Sequence, residues 1–124
     1  MEIEVGDYVR TIKGLITKII GLDEFIEDDE TTFYETEENP GYNDLCSKEI
    51  VRHSKNIIDL IELGDYVNGK LIHKIEKRPN YCYLYYGNCK TFVDYQIKTI
   101  VTKEQIASIE YKVEEDKQYV KNKR

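Results

Sequence analysis

Apolar and polar residues alternate most clearly near the start of the chain. Residues 8–12 alternate directly after the turn signal Gly6-Asp7, and this pattern predicts a strand entered from a turn. Lys13-Gly14 is the next turn signal, and residues 15–22 form an apolar-rich return strand. The return strand carries apolar residues on both of its faces, as a strand in a small barrel or near an interface does. We therefore predict a hairpin over residues 8–22.

The opening of this hairpin returns later in the chain. Residues 3–9, Ile-Glu-Val-Gly-Asp-Tyr-Val, match residues 61–67, Ile-Glu-Leu-Gly-Asp-Tyr-Val, at six of seven positions. Residues 15–19 also match residues 71–75 at four of five positions, after a two-residue deletion. Two matches in the same order indicate two copies of one β-rich unit. Because both copies keep the Gly-Asp-Tyr-Val segment, we interpret it as scaffold rather than site.

Further elements follow from local signals. Asn68-Gly69 is a dipeptide typical of tight hairpins, and residues 81–86 have the composition of a strand. Thr102 followed by Gln105 has the pattern of a capping box, which predicts a short helix over residues 103–109 with Ile106 and Ile109 facing inward. In the first half we expect a third strand at 31–34, and after it a loop at 39–44.

These elements predict a mainly β, α+β protein built from two tandem β units. We place the first unit at residues 1–46 and the linker with the second unit at 47–113. A charged tail at 114–124 is expected to fray. Each unit is close to the lower size limit for an independent core, so we expect the two to pack as one domain.

Composition narrows the class of partner. The 124 residues carry a formal charge of −6, which disfavours duplex DNA because Lys and Arg supply most non-specific DNA affinity. No stretch has the roughly 18–20 apolar residues of a membrane span, and the acidic N-terminus lacks a signal core. We expect a cytoplasmic protein that has no membrane contact.

Catalytic and metal motifs do not emerge from the sequence. Cys46, Cys82 and Cys89 fit no metal spacing, and reduced thiols are expected in the cytoplasm. His53 and His73 have no neighbouring groups spaced for general-base chemistry. We therefore predict a non-enzymatic protein with no cofactor and no metal.

The tyrosine-rich strand is the first candidate binding element. Tyr81, Tyr83 and Tyr85 share one face at period two, and Lys74, Arg78 and Lys90 are nearby cations. Such a row can stack nucleotides or single-stranded nucleic acid, and it can also form a protein interface. The remaining interpretation is an ordinary sheet face with cross-strand aromatic pairs.

The acidic segment of the first half is the second candidate. Glu27, Asp28, Asp29 and Glu30 lie within it, and it carries no basic residue. Its carboxylates could mimic phosphates and dock into a basic groove of a target protein. The alternative is a solvated loop that keeps the protein soluble and protects a strand edge.

Residues 5–11 followed by Gly14 resemble the opening of SH3-like barrel units of the KOW type. Those units begin with a Gly-Asp-x-Val strand, turn at a glycine and return on an apolar strand. The return strand here lacks the second glycine that such modules usually carry. The resemblance implies two SH3-like barrels in tandem.

A broader resemblance covers residues 5–20, 53–69 and 100–113, which look like small accessory proteins of phages and prophages of clostridia and related bacteria. Such proteins often interfere with host defence, although gene class alone implies no reaction and no site residues. The resemblance implies a counter-defence binding protein that blocks a host protein or sequesters a nucleotide signal. The alternatives are a module that binds RNA or single-stranded DNA, and a homo-oligomer assembled through its repeats.

Overall fold

The computed structural model describes residues 3–23 and 32–110, and these residues form a mainly β protein with three small antiparallel sheets. Five strands build the first sheet: β1 (Tyr8–Thr11), β2 (Ile16–Asp23), β3 (Phe33–Thr36), β4 (Leu45–Cys46) and β5 (Ile50–Ser54). Their order across the sheet is β4-β3-β2-β1-β5. The predicted third strand is thus present, shifted from 31–34 to Phe33–Thr36.

The second half contains two three-stranded sheets. Its strands are β6 (Tyr66–Val67), β7 (Lys70–Leu71), β8 (Lys74–Arg78), β9 (Tyr81–Gly87), β10 (Lys90–Phe92) and β11 (Ile100–Val101). One sheet has the order β11-β6-β7 and the other β10-β9-β8. In the described part of the chain no sheet closes into a barrel. The mainly β prediction is confirmed, and the SH3-like barrels stay a prediction.

The repeated turn has the same backbone pairing in both halves. Gly6 N donates to Ile19 O at 2.8 Å and Ile19 N donates to Asp7 O at 2.8 Å. In the second half Gly64 pairs with Ile72 O at 3.0 Å, and Ile72 N donates to Asp65 O at 2.9 Å. Ile72 is therefore the structural counterpart of Ile19.

This pairing corrects one sequence alignment. The match of 15–19 to 71–75 aligned Ile19 with Ile75, three residues beyond its structural counterpart. The reason is the length of the connection. Seven residues, 10–16, separate the paired Val9 and Thr17, whereas only Asn68 and Gly69 separate Val67 from Lys70.

The segment expected to link the units contributes to the first sheet. Within it, β5 pairs antiparallel with β1. The predicted capped turn of helix is a short 3₁₀ helix at Ile57–Leu60, whose Ile58 and Leu60 are buried. The change of sheet thus falls after Ser54 rather than at residue 47.

Two apolar clusters form the core. One comprises Val9, Ile19, Tyr34, Leu45 and Ile50. The other comprises Ile58, Ile61, Val67, Ile72 and Leu84. Ile16 of the first hairpin packs against this second cluster, so the two halves share apolar contact.

The predicted helix is present as α1 (Lys103–Ile109), and Thr102 caps it by accepting from Gln105 N. Thr102 Oγ1 also donates to Gly14 O at 2.8 Å, which ties the helix start to the first hairpin. Ile109 is 80% exposed, so the expectation that it faces inward is wrong. The helix ends at Ile109, one residue before the described chain ends. No helix within the described ranges is long and apolar enough to cross a membrane.

Candidate ligand-binding cleft

The tyrosine row lies on the outer face of the β8–β9 hairpin. Arg78 pairs with Tyr81, Glu76 with Tyr83 and Lys74 with Tyr85 in the register of this hairpin. Directly paired residues of an antiparallel sheet project from the same face. The intervening Leu84 is fully buried in the second core cluster. The tyrosines therefore alternate with core residues and project away from the core.

Some polar groups on this outer face interact with one another. Tyr85 Oη donates to Glu76 Oε1 at 2.7 Å, and Lys74 Nζ lies 4.9 Å from the centroid of the Tyr85 ring. The hydrogen bond to Glu76 raises the pKa of Tyr85 above its ordinary value, with burial adding to the effect. Tyr81 and Tyr83 instead contact each other, with centroids 4.7 Å apart and rings tilted by 41°. The hydroxyl of Tyr85 is thus hydrogen-bonded within its own face of the hairpin.

A cleft of about 530 Å³ opens beside Tyr81 and Tyr83. Its walls come from three segments: the 3₁₀ region after β5, the β8–β9 hairpin, and the chain after β10. The lining residues are Asn56, Ile58, Asp59, Lys77, Arg78, Pro79, Asn80, Tyr81, Cys82, Tyr83, Val93, Asp94 and Tyr95. This volume is typical of a small-molecule site.

The six residues predicted as a binding group lie in three places. Tyr81, Tyr83 and Arg78 line the cleft. Tyr85 and Lys74 lie farther along the same face and contact each other. Lys90 pairs with Gly87 at the opposite end of β9, about 20 Å from Tyr81 by the rise of a strand.

Charged groups in the cleft are largely paired. Lys77 Nζ lies 2.9 Å from Asp59 Oδ1, and Ser54 Oγ donates to Asp59 Oδ2 at 2.6 Å. Burial raises the pKa of Asp59, but the hydrogen bonds from Ser54 and Lys77 outweigh it and leave the pKa below its ordinary value. Arg78 Nη2 is 2.8 Å from Glu76 Oε2.

The carboxylate of Asp94 differs from these pairs. It is exposed and makes no hydrogen bond or ion pair with any other residue in the described ranges. Asp94 and Tyr95 also line a second cleft of about 440 Å³, which reaches Tyr8 and Ile16 of the first half. The two clefts therefore meet at Asp94 and Tyr95.

Sequence reasoning missed the residues that complete the cleft. Asp59, Asp94 and Tyr95 stand in three different local contexts, and none belongs to a periodic pattern. Tyr95 is 81% exposed. A single tyrosine in an irregular segment carries no signal that would join it to Tyr81 before the fold is known.

A buried ion network was also missed. Arg10 is 1% exposed, and its guanidinium donates to both carboxylate oxygens of Asp65, at 2.5 and 3.0 Å. It also donates to Glu104 Oε1 at 2.5 Å and to Leu60 O at 2.9 Å. Burial opposes the charge of Arg10, but Asp65 and then Glu104 raise its pKa above the ordinary value. Arg10 belongs to the first sheet and its partners to the second half, so this network joins the two.

The equivalent aspartate of the first repeat has a different environment. Asp7 accepts from Glu4 N at 3.0 Å, as Asp65 accepts from Glu62 N at 2.7 Å. Its side-chain partners are local: His53 Nδ1 lies 2.9 Å from Asp7 Oδ2, and Lys55 Nζ lies 2.6 Å from Oδ1. Burial raises the pKa of Asp7, and the hydrogen bonds from Lys55, Glu4 and His53 together bring it below its ordinary value.

The other residues considered in the sequence are the acidic segment, the cysteines and possible metal ligands. The acidic residues Glu27, Asp28, Asp29 and Glu30 lie outside the described residues. Cys46, Cys82 and Cys89 are free, and burial raises the pKa of the Cys82 thiol. Within residues 3–23 and 32–110 no cluster of three His, Cys, Asp or Glu side chains is arranged to hold a metal ion.

Comparison with known proteins adds no assignment: the chain matches no protein-family model, no curated protein and no solved structure.

Proposed function

We propose that this chain is a non-enzymatic binding protein that holds a nucleotide-type small molecule in the cleft beside Tyr81 and Tyr83. One observation carries the proposal. A cleft of about 530 Å³ combines the aromatic rings of Tyr81, Tyr83 and Tyr95 with polar and charged side chains from separate segments. Planar bases stack on such rings, each stack contributing about 1–3 kcal/mol, while polar groups orient the sugar.

The resemblance to phage accessory proteins gives this binding a biological setting. A phage protein that captures a nucleotide signal of the host would weaken a defence that depends on the signal. Capture needs only affinity and abundance. The role is therefore counter-defence by sequestration, in the host cytoplasm.

The two halves are, in this proposal, SH3-like units that pack as one domain. The matching hydrogen bonds at Asp7 and Asp65 support a common origin for the two turns. The hairpin β8–β9 is then the part of the second unit that carries the ligand.

Binding is tested by isothermal titration calorimetry with nucleosides and nucleotides, preceded by a thermal-shift screen. We expect a saturable interaction that Tyr81→Ala or Tyr83→Ala weakens by roughly tenfold or more, in line with the value of one stack. Tyr85→Ala is the matched control, because Tyr85 lies on the same face outside the cleft. Recovery of unchanged ligand by chromatography checks that no reaction occurs. The proposal fails if no compound binds at millimolar concentration, or if the Tyr85 variant is impaired as much as the Tyr81 variant.

A second candidate function is binding of RNA or single-stranded DNA along the outer face. The observation that favours it is the row of three tyrosines opposite Lys74 and Arg78. In this case affinity falls steeply with salt, and Tyr85→Ala weakens binding as much as Tyr81→Ala. Titration of labelled oligonucleotides at two salt concentrations separates this function from the first.

Blocking of a host protein through Glu27, Asp28, Asp29 and Glu30 is a further prediction from the sequence. It is tested by pull-down from host lysate with the wild type and with a variant in which the four carboxylates become amides. Capture of one defined protein by the wild type alone would support it.

A further inference from the structure

The charges of the cleft limit the kind of nucleotide that it can hold. Its lining contains two cations, Lys77 and Arg78, and two carboxylates, Asp59 and Asp94. Both cations are already paired, Lys77 with Asp59 at 2.9 Å and Arg78 with Glu76 at 2.8 Å. The cleft therefore presents no uncommitted positive charge to a ligand.

The uncommitted charge of the cleft is negative. Among the described residues the carboxylate of Asp94 has no partner, and Asp94 lines both clefts. A carboxylate only accepts hydrogen bonds, so its suitable partners are hydroxyl and amino groups. Ribose hydroxyls and the exocyclic amines of bases are such donors. A phosphate beside it would instead meet a like charge.

Phosphate recognition in proteins takes a different form. Polyphosphates are held by free Arg or Lys side chains, by bound cations or by backbone N–H groups at a helix start or glycine-rich loop. The cleft lining contains no glycine and no turn of α-helix. Binding a triphosphate would require Lys77 and Arg78 to leave their carboxylates, which themselves remain near the ligand.

We infer that the ligand is a nucleoside or a nucleotide with at most one negative charge, held by stacking on the tyrosines and by hydrogen bonds to Asp94. This inference rests on the proposed function of the cleft and makes it more specific. The charges of the cleft disfavour nucleoside polyphosphates, whereas adenosine, guanosine and their cyclic monophosphates are compatible.

The test is a calorimetric series on the full chain with adenosine, its 3′,5′-cyclic monophosphate and ATP, repeated with the guanosine compounds. We expect the nucleoside and the cyclic monophosphate to bind with similar affinity and the triphosphate at least about tenfold more weakly, because repulsion grows with each charge. Asp94→Asn should reduce the ratio of nucleoside affinity to triphosphate affinity, the affinity gap, by roughly fivefold. Asp44→Asn, in a loop of the first half, removes the same charge away from the cleft and should leave the gap unchanged.

Each outcome has a distinct meaning. Equal or tighter binding of a triphosphate overturns the charge inference and leaves the cleft as a nucleotide site. An unchanged gap in Asp94→Asn also overturns it, because the selectivity would then not come from this carboxylate. Failure of every compound to bind overturns both this inference and the proposed function.

Discussion

The two Gly-Asp-Tyr turns have the same backbone hydrogen bonds, but their aspartates contact different parts of the molecule. One is paired within its own half and the other is paired with a residue of the other half. Asp7 is hydrogen-bonded to His53 and paired with the exposed cation Lys55, both within its own half. Asp65 is fully buried and is neutralised by Arg10 from the other half. The repeated motif thus specifies the local turn, whereas the cation beside its aspartate comes from the neighbouring element, which differs between the halves.

The repeated turn and the cleft also lie in different parts of the fold. Both halves continue from the turn into a further hairpin, β2–β3 in the first half and β8–β9 in the second, and only β8–β9 carries Tyr81 and Tyr83. The cleft is lined by this hairpin and by neighbouring segments, and not by residues of the two turns. Ligand binding and unit packing can therefore be perturbed independently.

The largest effect is expected at the cation that joins the halves. Arg10→Met leaves the fully buried Asp65 without its guanidinium and should lower the free energy of unfolding by about 3–5 kcal/mol. Arg52→Met is the matched control. Arg52 is the cross-strand neighbour of Arg10 and also donates to Leu60 O, but its side chain is 43% exposed. Urea denaturation followed by circular dichroism measures both. Equal losses in the two variants would contradict the assigned role of Arg10.

The next effect tests the contact between the first hairpin and α1. Gly14 has a φ of +89°, and a Cβ there would lie 2.2 Å from Thr102 Oγ1. Gly41 has nearly the same φ, +90°, with no atom within 4 Å of a Cβ. Gly41→Ala should cost about 1–2 kcal/mol for its backbone conformation alone, and Gly14→Ala about 1–3 kcal/mol more for the clash. Similar unfolding midpoints for the two variants would mean that the hairpin does not touch the helix start.

An intermediate loss of stability is expected when the pH is lowered. The pKa values of Asp7 and Glu62 lie below their ordinary values of 3.8 and 4.5 in the folded protein. For Glu62, burial raises the pKa, but the hydrogen bond from Lys103 and the charge of Arg10 outweigh it. The unfolded chain therefore binds protons first, and the stability from these groups is complete above about pH 5 and is lost as the pH falls through 4 and below. Unfolding free energy measured from pH 7 to pH 3 should decline in the wild type and decline less in Asp7→Asn. A parallel decline in both would show that Asp7 does not contribute.

The smallest effect is expected at the cation of the first turn. Lys55 is the counterpart of Arg10 in neutralising a repeat aspartate, but it is 56% exposed and screened by solvent. Lys55→Gln should leave the thermal midpoint at neutral pH within error of the wild type in physiological salt. A loss comparable to that of Arg10→Met would mean that the two turns are stabilised alike.

Local signals explain which elements the sequence predicts. The capping box at Thr102 and the tight turn at Asn68-Gly69 are complete within a few residues, and both are found as predicted. The strand at 81–86 also depends on neighbouring residues alone. Each of these signals is independent of the tertiary fold.

Other features depend on residues far apart in the chain. The burial of Arg10 is set by Asp65, 55 positions away, and cannot be read from the alternation of β1. The register of β7 depends on the length of a connection that the apparent sequence match conceals. The cleft combines segments near Asp59, Tyr81 and Asp94, which only the folded chain brings together.

The central claim is that the β8–β9 hairpin, and not the repeated turn, binds the ligand. Amide chemical shifts of the isotope-labelled protein, recorded during titration with adenosine and guanosine, test it directly. We predict shifts at Tyr81, Tyr83, Asp94 and Tyr95, with the amides of Asp7 and Asp65 unchanged. Saturable shifts centred on the two turns, or none at millimolar nucleoside, would contradict the claim.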